Sequence, residues 1–388
     1  MNAISTQAPP QPPVRITMPT GELQLQFTQG HARQDELLGF GARANSKRGF
    51  LFVSKILAKH WPVQPTKMLA IHEEMAAQIP ALPGPLVFIA LAETGVGLGQ
   101  GVFEAYRRQH PQQACLFIHS TRYPMAGCSL IEFAEPHSHA PRQYLHLPAD
   151  AALNELFCSA RSLVLVDDEA STGNTFINLA QACRRHCPAL SHVHLATAAN
   201  FMSAAARARV EASFGLQWSL AALIAGHYEF TPVACDLKAP AAQADSRKPS
   251  GASSRFGRLG LAQPLAPPHS LALQLSEDIE PGAKVLLLGT GEFMHWPFLL
   301  GLCLEQLGHA VWVQSTTRSP ILTWGAVQHS LHFDDNYGEG VPNYLYNLAP
   351  GLYDEVIICH ETAENDALRA LAGMVGGRLV DCSFKSDL

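Results

Sequence analysis

Residues 163–180 read LVLVDDEASTGNTFINLA. The apolar run at 163–166 has no polar residue within it, as expected of a strand covered on both faces of a parallel sheet. It ends in three acids, Asp167, Asp168 and Glu169. Ala170, Ser171, Thr172, Gly173, Asn174 and Thr175 come next, and then a helical pattern over about 175–186. Ligands of open α/β sheets bind at the carboxyl edge of the strands, so the acids stand where a site belongs. Gly173 permits a left-handed backbone, and Ser171, Thr172 and Thr175 offer hydroxyls. Successive N–H groups ahead of a helix N-terminus form a concave donor surface that suits one phosphate.

Two other readings of the stretch are weaker. As a Walker B strand it would need a GxxxxGK[ST] loop, which the chain does not contain. As a helix cap beside solvated acids it would explain the hydroxyls but not three acids at the end of a buried strand. Acceptors for sugar hydroxyls beside a cradle for a phosphate are what a ribose 5-phosphate requires.

Outward from this stretch, short apolar runs alternate with helical patterns. LVFIALAE, CLFIHS, SLVLVDDE and HVHLATAA read as strands, with helices near 102–109 and 175–186. The pattern restarts with KVLLLGTGE, a helix near 298–307, AVWVQSTTR and EVIICHE. Alternation of this kind predicts an α/β fold with a parallel sheet, followed by a second, smaller α/β domain. The Pro-rich residues 1–22 read as a tail. Residues 23–237 read as the first domain, the Pro-, Ala- and Ser-rich residues 238–270 as a linker, and 271–388 as the second domain. Within the linker, SRFGRLGL has Phe256, Arg258 and Leu259 with which to dock on a neighbouring surface, although such linkers are more often solvated.

The chain has 388 residues, 47% of them hydrophobic and 15% charged, with a formal net charge of −6. That is the composition of a globular protein, and no Lys/Arg-rich block is present to track a phosphate backbone, so nucleic acid is not expected as a partner. Neither a membrane-length apolar stretch nor a signal-peptide core is present, and a cytoplasmic location is expected. The nine cysteines are scattered and read as buried thiols. Cys183, His186 and Cys187 lack a second pair to close a zinc site.

The two halves share spacings. Arg122 of STRYP follows Gly95 by twenty-seven positions, and Arg318 of TTRSP follows Gly291 by twenty-seven. Phe133 precedes Tyr144 by eleven, and Phe333 precedes Tyr344 by eleven. The second domain therefore reads as a degenerate copy of the first. Its last strand supplies His360 and Glu361 but no Ser-Thr-Gly turn, so a second site of the same kind is not expected.

Upstream, FIALAETGVGLGQG is a strand entering a Gly-rich turn and helix. It fails as a dinucleotide fingerprint, because the third glycine falls at Gln100 or Val102. Glu93, Thr94, Gly95, Val96 and Gly97 form instead a candidate loop for a pyrophosphate. Near the N-terminus, Arg43, Lys47 and Arg48 precede an amphipathic pattern read as a helix over 50–60. Lys47 and Arg48 either face the site's phosphates or solvate a helix start.

The 163–180 stretch resembles the 5-phosphoribosyl-1-pyrophosphate (PRPP) signature of type I phosphoribosyltransferases: four hydrophobics, two acids, a variable pair, Ser/Thr-Thr-Gly, any residue, Thr. With KRGFLFVSK, EPHSHA, TTRSP and FDDNYGEGVPNYLYN, nearly the whole chain after the tail is similar to a narrower family. That family is the phosphoribosyltransferase with a C-terminal TRSP domain, of the kind found in tellurite-resistance-type gene clusters of bacteria. The resemblance implies PRPP-dependent transfer of ribose 5-phosphate to a base or small-molecule acceptor with release of pyrophosphate, aided by Mg²⁺ carried on PRPP. A nucleoside-like product is implied, with a non-catalytic PRPP- or nucleotide-binding regulator as the alternative. Asp167 and Asp168 would orient the ribose, residues 170–175 would hold the 5′-phosphate, and Arg122 would face the leaving group unless it is an ordinary surface arginine. The stretch after Arg122 would form a hood in which Glu135, His137 and His139 serve proton transfer, phosphate contact or metal binding. Arg318 and the second domain would shape the acceptor pocket, or the domain would serve packing, including a possible homodimer.

Overall fold

A computed structural model of the chain describes residues 12–45, 48–125, 127–134, 142–233 and 251–383. Among these, the first half runs β1 (Val14–Met18), β2 (Gly21–Gln29), α1 (Gln34–Leu37), β3 (Leu38–Ala42), β4 (Phe50–Ser54), α2 (Pro65–Ala77), β5 (Leu86–Ala90), α3 (Gly95–Gln109) and β6 (Cys115–His119). It continues with β7 (Leu130–Ala134), β8 (Arg142–His146), α4 (Ala151–Cys158), β9 (Ser162–Ala170), α5 (Asn174–Arg184), β10 (His192–Asn200), α6 (Ala204–Phe214) and β11 (Gln217–Pro232). The second half comprises α7 (His269–Asp278), β12 (Lys284–Gly289), α8 (His295–Gln306), β13 (Ala310–Ser315), β14 (Ser330–Phe333), β15 (Asn343–Tyr346), β16 (Glu355–His360), α9 (Asp366–Val375) and β17 (Arg378–Asp381).

The main sheet has the order β1-β2-β11-β10-β9-β5-β6. From β11 to β6 all neighbours are parallel, and β1 and β2 add an antiparallel edge. Side-chain alternation covers both faces. Phe88 and Val164 pack with Met75 of α2 and Phe103 of α3, whereas Ile89 and Leu165 pack with Phe157 of α4 and Phe176 of α5. Each buried aliphatic or aromatic side chain of this kind stabilises by roughly 1.5–3 kcal/mol, which explains the apolar runs at 86–90 of β5 and 163–166 of β9. From β5 the chain crosses to β6 on one side and later returns to β9 on the other. The β5/β9 boundary is therefore the switch point of the sheet, where a crevice opens at the strands' carboxyl ends.

The second half has a parallel sheet ordered β13-β12-β16-β17. Its first three strands repeat the order β6-β5-β9, and the hairpin β14–β15 follows β13 as β7–β8 follows β6. Ser120 N donates to Ala90 O at 2.9 Å, and Thr316 N donates to Gly289 O at 3.0 Å. Thr121 exchanges backbone bonds with Tyr144, as Thr317 does with Tyr344. Arg122 and Arg318 are thus equivalent. The register also shows that Gly291 matches Ala92 and not Gly95, so the equal spacing of twenty-seven is offset by three residues from the structural match.

The halves are packed together. Val63, beyond β4, pairs with Val313 of β13, and a Cβ on Gly301 of α8 would lie 2.6 Å from Pro65 of α2.

Several boundaries differ from the sequence expectations. Val14 to Met18, placed in the tail, form β1, where Val14, Ile16 and Met18 alternate with Arg15 and Thr17 against β2. Residues 251–268, placed in the linker, pack on the body. Phe117 and Leu261 exchange backbone hydrogen bonds of 2.8 and 2.7 Å along the free edge of β6, Arg258 is 1% exposed, and α7 already begins at His269. The helix expected over 50–60 is β4 followed by an irregular bend. Phe50 and Phe52 stack into a ring cluster with Phe201 and Tyr228, a packing that suits a strand paired with β3. A short apolar run fits either period.

Candidate functional site

A cavity lies at the β5/β9 switch point, with walls from both halves of the chain. Its floor is the turn after β5, residues 92–94, and the carboxyl end of β9. Asp167, Asp168 and Glu169 are partly buried there. Asp168 Oδ1 accepts from the Thr94 hydroxyl at 3.0 Å, and its own N–H donates to Asp167 Oδ1 at 2.9 Å. Glu169 is paired with Arg48, whose Nη2 lies 2.5 and 2.7 Å from its two oxygens.

One wall is the turn 170–175. Gly173 has φ +75°, and a Cβ there would lie 2.4 Å from Val210 Cγ2, so both conformation and space require glycine. Gly173 is the N-cap of α5, whose first-turn N–H groups have no partner within the helix. Arg209 Nη2 holds the turn from behind by donating to Thr172 O at 2.6 Å. The cavity is lined here by Ser171, Thr172, Gly173 and Thr175.

The opposite wall is cationic. Arg43 and Arg48 come from the β3–β4 hairpin, Arg122 follows β6, and Arg318 follows β13 of the second half, with Thr317 and Ser319 beside it. Arg43 donates to Ser319 Oγ at 3.0 Å, and burial together with the Arg48 charge pushes its pKa down to about 10. A cation so depressed is short of counter-charge, which a ligand anion would supply. Arg318 pairs with Glu339 at 2.9 Å and lies 5.6 Å over the ring of Tyr123. Burial opposes its charge, but Tyr123, Glu339 and Glu93 hold it protonated.

Glu93 ties the two halves together beneath the floor. Lys59 Nζ is 2.6 Å from Glu93 Oε1 and 2.6 Å from Gly291 O, and Glu93 Oε2 accepts from Arg318 N at 3.4 Å. Burial disfavours the Glu93 carboxylate, yet Lys59, Arg318 and Arg122 keep its pKa below the ordinary value of 4.5. His60 also lines the cavity. Burial, then Arg43 and Lys59, push its pKa to about 3, so it is a neutral imidazole.

Of the residues singled out in the sequence, the cavity brings together Glu93, Thr94, Asp167, Asp168, Arg48, Arg122, Arg318 and the turn from Ala170 to Thr175, apart from Asn174. It does not include Gly95, Val96 or Gly97. These begin α3, where Gly95 N donates to Leu91 O at 3.0 Å and a Cβ on Gly97 would lie 3.0 Å from Met294 Cγ. Lys47, Glu135, His137 and His139 lie outside the described residues. Thr317, Ser319 and His60 were not foreseen as lining residues. For His60 the signal was hidden by reading its segment as a helix, and for Thr317 and Ser319 only the TTRSP repeat of STRYP pointed there. Among the described residues no group of three or more His, Cys, Asp or Glu is arranged to hold a metal ion, and no helix is long and apolar enough to cross a membrane.

Two family models match the chain. The phosphoribosyl transferase model matches residues 37–227, and that of the TRSP domain, which lies C-terminal to it, matches residues 255–375. No curated protein matches. Among solved structures, adenine phosphoribosyl transferase from Trypanosoma brucei, in complex with AMP, pyrophosphate and ribose-5-phosphate, is 13% identical with a TM-score of 0.32, covering 48% of this chain and 77% of that one. The adenine phosphoribosyltransferase of Rhodothermus marinus is 12% identical at a TM-score of 0.32, covering 48% and 94%. The orotate phosphoribosyltransferase of Mycobacterium tuberculosis is 13% identical at 0.28, covering 48% and 90%.

Proposed function

The chain belongs to the phosphoribosyl transferase family, with a TRSP domain after the transferase domain, and on that premise we propose that its cavity transfers ribose 5-phosphate from PRPP to a small-molecule acceptor, releasing pyrophosphate. It is an enzyme of the glycosyltransferase type. One observation carries the reading: a single crevice joins two half-buried aspartates, a glycine-capped turn at a helix N-terminus, and arginines from both halves. The turn at 170–175 takes the 5′-phosphate on its N–H groups and hydroxyls. Asp167 and Asp168 accept hydrogen bonds from the ribose 2′- and 3′-hydroxyls. Arg122 and Arg318 receive the pyrophosphate. The C1–O bond to pyrophosphate breaks, positive charge develops on the ribose and is stabilised by the two aspartates, and the acceptor's nucleophilic atom bonds C1 as it loses its proton. Closure of both halves around the crevice excludes water.

Mg²⁺ fits this donor set, which offers hard carboxylate oxygens at Asp167 and Asp168 beside guanidinium groups. With no larger cluster among the described residues, the ion would be held mostly by PRPP and water, with Asp167 and Asp168 the carboxylates that could contact it. Bound there, it would offset the charge of the pyrophosphate. A nucleoside-like product is the class of metabolite this transfer yields.

The test is calorimetric titration of the full chain with PRPP, with and without Mg²⁺, beside Asp168→Asn. Mg²⁺-dependent binding that the variant loses is expected, followed by an acceptor screen read as pyrophosphate release. Wild-type protein that ignores PRPP in both conditions would overturn the reading.

A further inference from the structure

The register of the two sheets sets Glu292 of the second half where Glu93 stands in the first, and Glu361 where Asp168 stands. In the first half the space beside those carboxylates opens into the cavity. In the second half it is filled by the chain itself. Arg258, with a side chain 1% exposed, donates from Nη1 and Nη2 to the two oxygens of Glu361 at 2.7 and 2.8 Å. Its Nε and Nη2 reach Glu292 Oε2 at 3.4 and 3.3 Å, and Nη1 also donates to Ser253 O at 2.9 Å. The planar fork of a guanidinium can hold two carboxylates in this way, and an ammonium cannot.

Glu292 passes the arrangement on to the first half. Its Oε2 accepts from Thr121 Oγ1 at 2.6 Å, and its Oε1 accepts from the backbone N–H of Arg122 at 2.8 Å. The mirror contact is Glu93, which Lys59 holds and which accepts from the backbone N–H of Arg318. Each half thus uses the glutamate after its first parallel strand, β5 or β12, to fix the arginine-bearing turn of the other.

We propose that Arg258 is a resident cation occupying the second half's copy of the ligand site and that, through Glu292, it positions the Arg122 turn for the pyrophosphate end of the cavity. The inference rests on the PRPP reading for what Arg122 meets. Arg258 is a positioning residue and touches no substrate. Without it, Glu292 and Glu361 would be two carboxylates buried together with no cation between them, and Glu292 would lose the contact that fixes the oxygens accepting from Thr121 and Arg122.

The test uses the full chain and two probes, the magnesium salt of pyrophosphate and ribose 5-phosphate, each titrated calorimetrically. Arg258→Lys keeps the charge and loses the fork. Thr121→Ser keeps both contacts of the hydroxyl, whereas Thr121→Val removes the bond to Glu292 and the acceptor of the Tyr123 N–H and leaves no new buried charge, so the Val variant measured against the Ser variant serves if Arg258→Lys does not fold. Arg258→Lys and Thr121→Val are expected to bind pyrophosphate about tenfold more weakly. Ribose 5-phosphate affinity should stay within about twofold, because the turn at 170–175 hangs from β9 and Arg209, away from Glu292. Either of these two variants, folded and with unchanged pyrophosphate affinity, would overturn the inference, as would equal weakening of both probes, the mark of general loosening. Wild-type protein that binds neither probe would instead strike at the PRPP reading itself.

Discussion

Lys59→Met isolates the contact that joins the halves beneath the cavity. The methionine keeps most of the stem volume and removes an ammonium whose side chain is 1% exposed, 2.6 Å from Glu93 and 2.6 Å from the Gly291 carbonyl. Breaking one side of a buried ion pair typically costs about 3–5 kcal/mol, because the remaining charge is left uncompensated. Lys59→Met should therefore lose about that much in urea unfolding near neutral pH. Lys59→Met/Glu93→Gln removes both charges and should cost at least about 2 kcal/mol less than the sum of the single changes. The pH dependence gives the sign. In the native protein Glu93 is depressed below 4.5, so its stabilising contribution is present above that value and is lost as pH falls through the folded pKa. In Lys59→Met, burial becomes the larger influence and raises the pKa, so the deficit relative to the native protein should shrink as pH falls from 7 towards 4.5. A single variant costing under about 1 kcal/mol, or singles that simply add, would refute the view that these charges compensate one another.

Two further outcomes are expected. Gly173→Ala forces a Cβ to within 2.4 Å of Val210 Cγ2 at a φ of +75°, a conformation that alone costs about 1–2 kcal/mol; ribose 5-phosphate binding should fall about tenfold by calorimetry, and unchanged binding would remove the turn from the phosphate site. His60, His72 and His119 are each pushed down to about 3, chiefly by burial, so their unfolded forms take protons first as pH drops. Their contribution is full above about pH 6.5 and shrinks towards 3, by about 1.4 kcal/mol per histidine at about pH 5.5. Melting temperature should therefore decline from pH 7 to 5.5, well before carboxylates titrate, and a flat profile there would contradict the burial of these rings.

The parallel strands were legible because burial on both faces favours apolar runs such as those at 86–90 and 163–166, and in β9 Asp167 and Asp168 announce the carboxyl edge. The turn at 170–175 was legible because its chemistry is local: a glycine at positive φ, hydroxyls and a helix start all fall within six residues. What was not legible depends on partners far along the chain. β4 and a helix share the same apolar run, and only the pairing with β3 and the rings of Phe201 and Tyr228 separate them. The segment at 251–268 has the composition of a linker, yet Arg258 is drawn inside by two glutamates that follow it by 34 and 103 positions. Gly95 and Gly97 looked like a phosphate loop, but both are needed where α3 approaches β9 and α8: a Cβ on Gly95 would lie 3.1 Å from Asp167 Oδ1, and one on Gly97 3.0 Å from Met294 Cγ.

The two halves show how one charge problem can be solved in two ways. A parallel sheet with carboxylates at its switch point cannot leave them buried and uncompensated, since isolated charge in a low-dielectric crevice costs several kcal/mol. The second half answers with Arg258, a cation that cannot leave, and so its site is closed. The first half shares the task among Thr94, Lys59 and Arg48, which satisfy Asp168, Glu93 and Glu169 one contact at a time and leave the crevice open. On the proposed reading, Arg43, whose charge burial disfavours, is completed by a ligand that can depart, and the same ligand meets Arg122 and Arg318. Because Arg318 and the Gly291 carbonyl that Lys59 bonds belong to the second half, that half cannot be removed as an appendage without also taking away part of the wall and a contact of the lysine that holds Glu93.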